Sequence, residues 1–340
     1  MSDFLFSKLK PFPSLFEDLQ KIQMFCKELW KQKLMIWFTN HDYKHSEEII
    51  YILEQILKPL EPYQREFLNE HELFILLSSA YLHDIGMQNL KINNISIDQL
   101  TTEHYKYIRK KHAEESYNII IRSIMDSISR DEIRLPKIDA DYIPYLALIS
   151  KGHSTDYFND VIYLFQFEEY NTIKNRDIRG KLLTSLLMLA DELDLTRNRV
   201  DMTLLEQINL SSLSKIHWFK HYYTQKIYIS NKTIYVQLVF PDKSNDYKSL
   251  FEKMIRKKIE EQLDRINTIL ADSTNGLLSF KNKIEITISI NQYISNRSFP
   301  AELLKELKKQ VFHNTPKPID DALKEYIENK KALFKGNTCY

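Results

Sequence analysis

The sequence predicts a mainly α protein: a large helical domain over residues 1–210, then a smaller α+β module of order ββαβα over residues 211–340. Apolar residues recur at helical spacing from about Leu15 to Leu205, and after Trp218 the pattern changes to alternation. The 340 residues include only five glycines, which leaves few tight turns of the kind a glycine-rich α/β fold needs. No glycine-rich phosphate loop of any known spacing occurs, which excludes Rossmann and P-loop architectures.

The helical part reads in order. Ile49, Ile50, Leu53 and Leu57 line one face of HSEEIIYILEQIL, a helix opened by His45, with Ser46 as the expected N-cap and Glu47 and Glu48 in the first turn. Leu73, Leu76, Leu77, Ala80 and Leu82 mark a buried helix whose last turn carries His83 and Asp84, with Gly86 placed for a left-handed C-terminal cap. A second His-Asp pair, His41-Asp42, lies in the polar stretch TNHDYKHSEE, without an apolar helix before it or a glycine after it. In TEHYKYIRKKHAEESYNIII the spacing of four puts His104, Ile108 and His112 on one helix face. Arg109 lies one turn before His112, and with Lys110 and Lys111 it reads either as a phosphate contact or as an ordinary solvated face.

His153 follows the apolar segment IPYLALISKG near another helix end. Asp191 falls in IRGKLLTSLLMLADELDL, where a carboxylate in the buried stripe is costly unless a metal or another cation neutralises it. Asp194, one turn on, either does the same job or caps the end of the apolar stripe, and Asp191 is preferred as ligand.

In the C-terminal part, Ile227 and Ile229, then Ile234, Val236, Leu238 and Phe240, alternate around a Ser230-Asn231-Lys232 turn and predict a hairpin. A charged amphipathic helix from about Tyr247 to Leu270, a strand through Ile284, Ile286, Ile288 and Ile290, and a helix near Ala301 to Val311 complete a module with a helix on one sheet face. Trp218, flanked by His217 and His221, reads as a core anchor ahead of an oligomer interface. Asn314 to Pro318 breaks the periodicity, and Lys330 to Tyr340 predicts a short frayed tail.

With 47 basic and 46 acidic residues the net charge is +1, so no global field draws the chain onto nucleic acid or an anionic membrane. Two cysteines, Cys26 and Cys339, are neither a disulfide framework nor a zinc ribbon, and a reducing cytoplasm is the expected location. The N-terminal segment has no basic region ahead of an apolar run, and no stretch approaches the roughly 20 apolar residues of a membrane span, so a soluble, unprocessed protein is expected.

His45, His83, Asp84, His112, His153 and Asp191 thus form a set of six candidate ligands at the ends or edges of apolar helices. Imidazole mixed with carboxylate suits a divalent transition metal (Mn, Fe, Ni, Zn or Co), where carboxylates and carbonyls alone would suit Mg or Ca. Hydrolytic chemistry is the expectation.

The segments KHSEEII, YLHDIGM, RKKHAEES, SKGHS and LLMLADELDLTRNR, in this order over roughly residues 40 to 200, resemble the HD superfamily of metal-dependent phosphohydrolases. The resemblance implies an HD-type helical domain in which His45, His83, Asp84 and Asp191 hold one metal. It further implies that His112 and His153 bind a second ion or contact the substrate phosphate; Asp84 is also expected to orient the attacking water. Cyclic-dinucleotide phosphodiesterases of the superfamily follow the motif with a lysine, whereas Met87 and Gln88 stand here.

The stretch ADELDLTRNR and the later HWFKH resemble HD domains of bacterial conflict and antiviral systems, and more remotely deoxynucleotide triphosphohydrolases. The expected function is hydrolysis of nucleotides, deoxynucleoside triphosphates first, in antiviral defence, with Arg109, Arg197 and Arg199 as phosphate contacts. Three other readings stand beside it: an HD-type nuclease, a cyclic-nucleotide phosphodiesterase, and a non-catalytic nucleotide-binding sensor or adaptor. Composition gives no support to a nucleic-acid or membrane partner, and self-association or a protein partner is expected through the C-terminal module.

Overall fold

The computed structural model describes residues 4–32, 39, 41–63, 67–88, 101–123, 133–167, 172–205, 210–241, 247–280, 283–291 and 299–312. Its central element is α4 (Glu70–Leu82), apolar on every side and buried along nearly all its length, as a helix surrounded by others must be. Asn69 caps it, accepting from the His71 and Glu72 amides while the Glu72 carboxylate accepts from the Asn69 amide. Around it pack α1 (Phe4–Leu9), α2 (Pro13–Leu29), α3 (Tyr43–Leu57), α6 (Ile143–Gly152) and α8 (Gly180–Leu193). Two hydrogen bonds of 2.8 and 2.7 Å from the Arg179 guanidinium to the buried Glu72 carboxylate pin the start of α8 to the start of α4. The paired helices then run with their far ends, which carry His83 and Asp191, at the site.

The N-cap of helix α3 lies four residues earlier than the sequence suggests. Its N-cap is Asp42, whose carboxylate accepts from the Lys44 and His45 amides, and Ser46 is an interior, buried residue. The acceptor that reaches the free amides decides the cap, and Asp42 is the residue in extended conformation.

Gly86 also departs from expectation. It has no positive φ: the chain leaves α4 through His83 in right-handed helical conformation and enters a 3-10 turn at Ile85–Gln88. The glycine is needed because a Cβ there would stand 2.1 Å from the His112 carbonyl oxygen, so its absence lets α5 (Thr102–Arg122) close on the turn. The Gly86 amide donates to Ser116 Oγ at 2.9 Å across the same contact.

Helix α5 packs on α6, and α7 (Phe158–Leu164) covers α6 and α8. A two-residue hairpin, β1 (Thr172–Ile173) and β2 (Arg176–Asp177), turns through Lys174 and Asn175 at φ of 48° and 63°. The short α9 (Met202–Leu205) leads to α10 (Ser212–Tyr223).

The C-terminal part has the expected order: β3 (Thr224–Ser230), β4 (Thr233–Phe240), α11 (Lys248–Asp272), β5 (Ile284–Ile290) and α12 (Leu304–Phe312). β3 and β4 pair antiparallel through a turn at Asn231 and Lys232, both at positive φ, and β5 joins β4 in parallel after the α11 crossover. One apolar cluster runs from Leu5 to Leu307 across residue 210, with α11 packed along α8. Trp218 is 2% exposed and belongs to that core. Among the described residues no helix is long and apolar enough to cross a membrane. The expected tail and Cys339 lie outside the described residues.

Candidate metal centre

Five helices deliver the candidate ligands to one place. His45 comes from the first turn of α3, His83 and Asp84 from the end of α4, His112 from the middle of α5, His153 from the end of α6 and Asp191 from the last turn of α8. Asp84 lies at the middle with a pair of imidazoles on each oxygen. Its Oδ2 is 3.1 Å from His83 Nε2 and 3.6 Å from His45 Nε2, and its Oδ1 is 3.3 Å from His112 Nε2 and 3.6 Å from His153 Nε2. Asp191 Oδ1 stands 3.2 Å from His45 Nε2 and 3.9 Å from His83 Nε2. Donors around one first-row cation at bond lengths of about 2.0–2.2 Å are separated by roughly 3.0–3.5 Å; three of these separations fall in that range, and the other three, at 3.6, 3.6 and 3.9 Å, are slightly wider.

The ring orientations follow from the backbone. His83 Nδ1 donates to the Ala80 carbonyl at 3.1 Å, and His112 and His153 donate to the Arg109 and Ser150 carbonyls, each at 2.5 Å. All three use the carbonyl three residues earlier on their own helix. His45 has no such acceptor to spare, because in the first turn the Asp42 carbonyl takes the His45 amide. Asp194, the C-cap of α8, serves instead: its Oδ2 lies 2.6 Å from His45 Nδ1. An ionised carboxylate only accepts, so the proton is on Nδ1, and Arg199 Nη1, 3.0 Å from the same oxygen, holds Asp194 in place. Every imidazole therefore turns Nε2 toward Asp84, and a metal would take the place of any proton there.

The electrostatics call for a cation. Burial by itself would raise the carboxyls of Asp84 and Asp191, yet both are held well below the usual carboxylate range, Asp84 chiefly by His83 and Asp191 by His45. Burial and the Arg199 charge push His45 down, but the Asp191 and Asp194 carboxylates outweigh them and raise it to about 9, so without a metal His45 carries the compensating charge. His153 is lowered to about 4 by burial and by His83 and His112, and is neutral as a ligand must be. The buried Nε2 atoms of His45 and His83 make no hydrogen bond: Asp191 Oδ1 is near His45 Nε2 but out of line. Orphaned imidazole nitrogens beside ionised carboxylates fit a divalent transition metal. Two groups of ligand atoms, His45 with His83 and Asp191, and His83 with Asp84 and His153, each fall within 4.8 Å of one another.

Asp191, with its side chain 30% exposed, is the candidate ligand that lines an open cleft. Arg109, exposed on α5, lines this cleft one turn before His112. Arg199 lines it too, but it is buried and its guanidinium is committed to Asp194, so it acts through His45. Arg197 is not among the cleft residues: its Nε donates to the Tyr222 carbonyl at 2.9 Å and its guanidinium lies 4.8 Å from the Tyr222 ring.

Sequence reasoning set His41 apart from the site, yet its ring lies 5.6 Å from that of His45 and faces the cleft, and its dipeptide partner Asp42 is the α3 cap. It also left His217, Lys220 and His221 without a role, although all three line the cleft. Their spacing of three and four residues was the available signal.

A family model described as HD-CE matches residues 35–270. No curated protein and no solved structure matches this chain. The match takes in the whole ligand set and well over half of the sequence: the chain belongs to the HD-CE family, an HD-type domain whose His/Asp cluster suits a metal-dependent hydrolase.

Proposed function

We propose that this protein is a metal-dependent phosphohydrolase acting on nucleotides, with deoxynucleoside triphosphates first among substrates and antiviral defence as its setting. The observation that carries the reading is Asp84, whose two carboxylate oxygens each face a pair of imidazole nitrogens, beside Asp191, which lines a cleft shared with Arg109, Lys220 and Lys258. His45, His83, Asp84 Oδ2 and Asp191 would hold one ion, and Asp84 Oδ1, His112 and His153 a second. When bound, such cations supply Lewis acidity toward a phosphoryl oxygen and lower the pKa of water from about 16 toward about 7.

The chain's own groups do the rest. Asp84 sets the spacing of the two donor pairs and orients the attacking water, while Arg109 offsets charge on the phosphoryl group from the cleft wall. The water oxygen bonds to phosphorus as the bridging P–O bond breaks, and the leaving oxygen takes up the released proton. Arg199 and Asp194 are positioning residues for His45. The balanced net charge of +1 favours a single nucleotide over a duplex, which would want a continuous basic groove. The buried, unpaired Cys26 thiol fits a reducing cytoplasm.

A nucleotide panel assayed for release of phosphate or tripolyphosphate, with Mn and with chelator, tests the reading. Asp84→Ala is expected to lower turnover by at least a thousandfold. Metal-independent turnover, or full activity in that variant, overturns it.

A further inference from the structure

Helix α10 carries a buried cation with nothing to bind. Lys220 is 8% exposed and lines the cleft, and among the described residues its ammonium makes neither a hydrogen bond nor a salt bridge. Two buried nitrogens on the same helix also lack a hydrogen-bond partner, the Trp218 Nε1 donor and His221 Nδ1, and both residues line the same cleft. Buried polar atoms are nearly always satisfied, so two left orphaned beside an ammonium without a carboxylate partner mark the place of a polar ligand, and the ammonium selects an anionic one. Burial pushes Lys220 down to about 8, with Glu192 opposing and Lys258, Arg109 and Arg199 adding to the fall, so it is still charged at neutral pH.

The cleft's other walls agree. Arg109 stands on α5 and Lys258 on α11, both exposed. Of the acids lining the cleft, Asp191 belongs to the candidate metal centre and Asp194 to His45 and Arg199, so Glu192 is the remaining carboxylate of the lining, while Lys258 lies 3.9 Å from Glu261 on its own helix. A single phosphate seated at the metal centre spends its oxygens there. Donors spread over α5, α10 and α11 need acceptors on further phosphorus atoms.

We propose that α10, with Lys220 at its centre, is the receptor for the phosphate chain beyond the scissile group, so that the site takes phosphoanhydrides in preference to monoesters. This rests on the reading of the site as a phosphohydrolase, and adds to it the residues that recognise the leaving part of the substrate.

The test titrates inorganic tripolyphosphate, then orthophosphate, into the full chain by calorimetry, with Mn in excess over probe and protein. Wild type is expected to bind tripolyphosphate at least tenfold more tightly than orthophosphate. Lys220→Met is expected to remove that preference, and Lys220→Arg to retain most of it. Lys258→Ala, on an exposed position that cannot unfold the core, is expected to weaken tripolyphosphate about threefold, and serves if the Lys220 variants fail to fold. Equal affinity for the two anions in wild type, or unchanged tripolyphosphate affinity in folded Lys220→Met and in Lys258→Ala, overturns the proposal. Lys220-dependent tripolyphosphate binding without hydrolysis of any nucleotide would sink the phosphohydrolase reading and leave the receptor standing. Nucleotide hydrolysis with kcat and KM unchanged in Lys220→Met would do the reverse.

Discussion

At the scale of single residues, the centre depends on groups that touch no substrate. Asp194 illustrates this: the other three imidazoles borrow a backbone carbonyl from the preceding turn, and His45, placed where that carbonyl is taken, depends on a side chain from a helix 149 residues away. Removing such an outer partner typically costs 10–100-fold in metal affinity. Asp194→Ala is therefore expected to weaken the metal at the His45 side by about that factor, read by competition against a chromophoric chelator, with the fold preserved by circular dichroism. A pH effect follows from His45 as well. Its pKa rises from 6.5 to about 9 on folding, so in chelated protein its contribution to stability is complete below pH 6.5 and is lost as pH climbs through 9. The melting temperature of metal-free protein should fall over that interval, and saturating metal, which replaces the proton, should abolish the fall. A flat profile in chelated protein would contradict the assignment of charge to His45.

Among the elements, the contact of α5 with the turn after α4 governs the second half of the site. Gly86 allows that contact because the His112 carbonyl passes where a Cβ would be, and this oxygen belongs to backbone and cannot swing aside. Gly86→Ala must push α5 outward. A loss of about 1–3 kcal/mol is expected from the overpacking. The sharper expectation is a change in metal stoichiometry: displacement of His112 empties the Asp84 Oδ1 side while the His45, His83 and Asp191 side persists. Elemental analysis of Gly86→Ala showing wild-type metal content would refute this role for the glycine. The glycine's place was legible in YLHDIGM, but its reason was not. A cap and a close approach select the same residue, and only the position of α5 tells them apart.

Across the whole molecule, the C-terminal module completes the helical part. Helix α11 covers α8, one apolar cluster spans both parts, and α10 and α11 supply two walls of the cleft. A fragment ending at residue 210 would leave the outer face of α8 in water, and α8 carries Asp191 and Asp194. Such a fragment is expected to lack a cooperative thermal transition and to hold no stoichiometric metal, whereas a cooperative, metal-loaded fragment would show the helical part to be self-sufficient.

Much of this was written in the chain. Helical period, strand alternation and the positive-φ turn at Asn231 and Lys232 are local properties, and they specified a helical body followed by ββαβα. The six candidate ligands were visible because histidine and aspartate stand out against apolar helices. What local sequence could not contain was mutual position. That Asp84 lies between two imidazole pairs, that Asp194 serves His45, that Arg197 turns away to Tyr222 and that Lys220 faces the same cleft as Asp191 all depend on how helices pack at long range. Periodicity states which face of a helix is buried, and packing alone decides what that face meets.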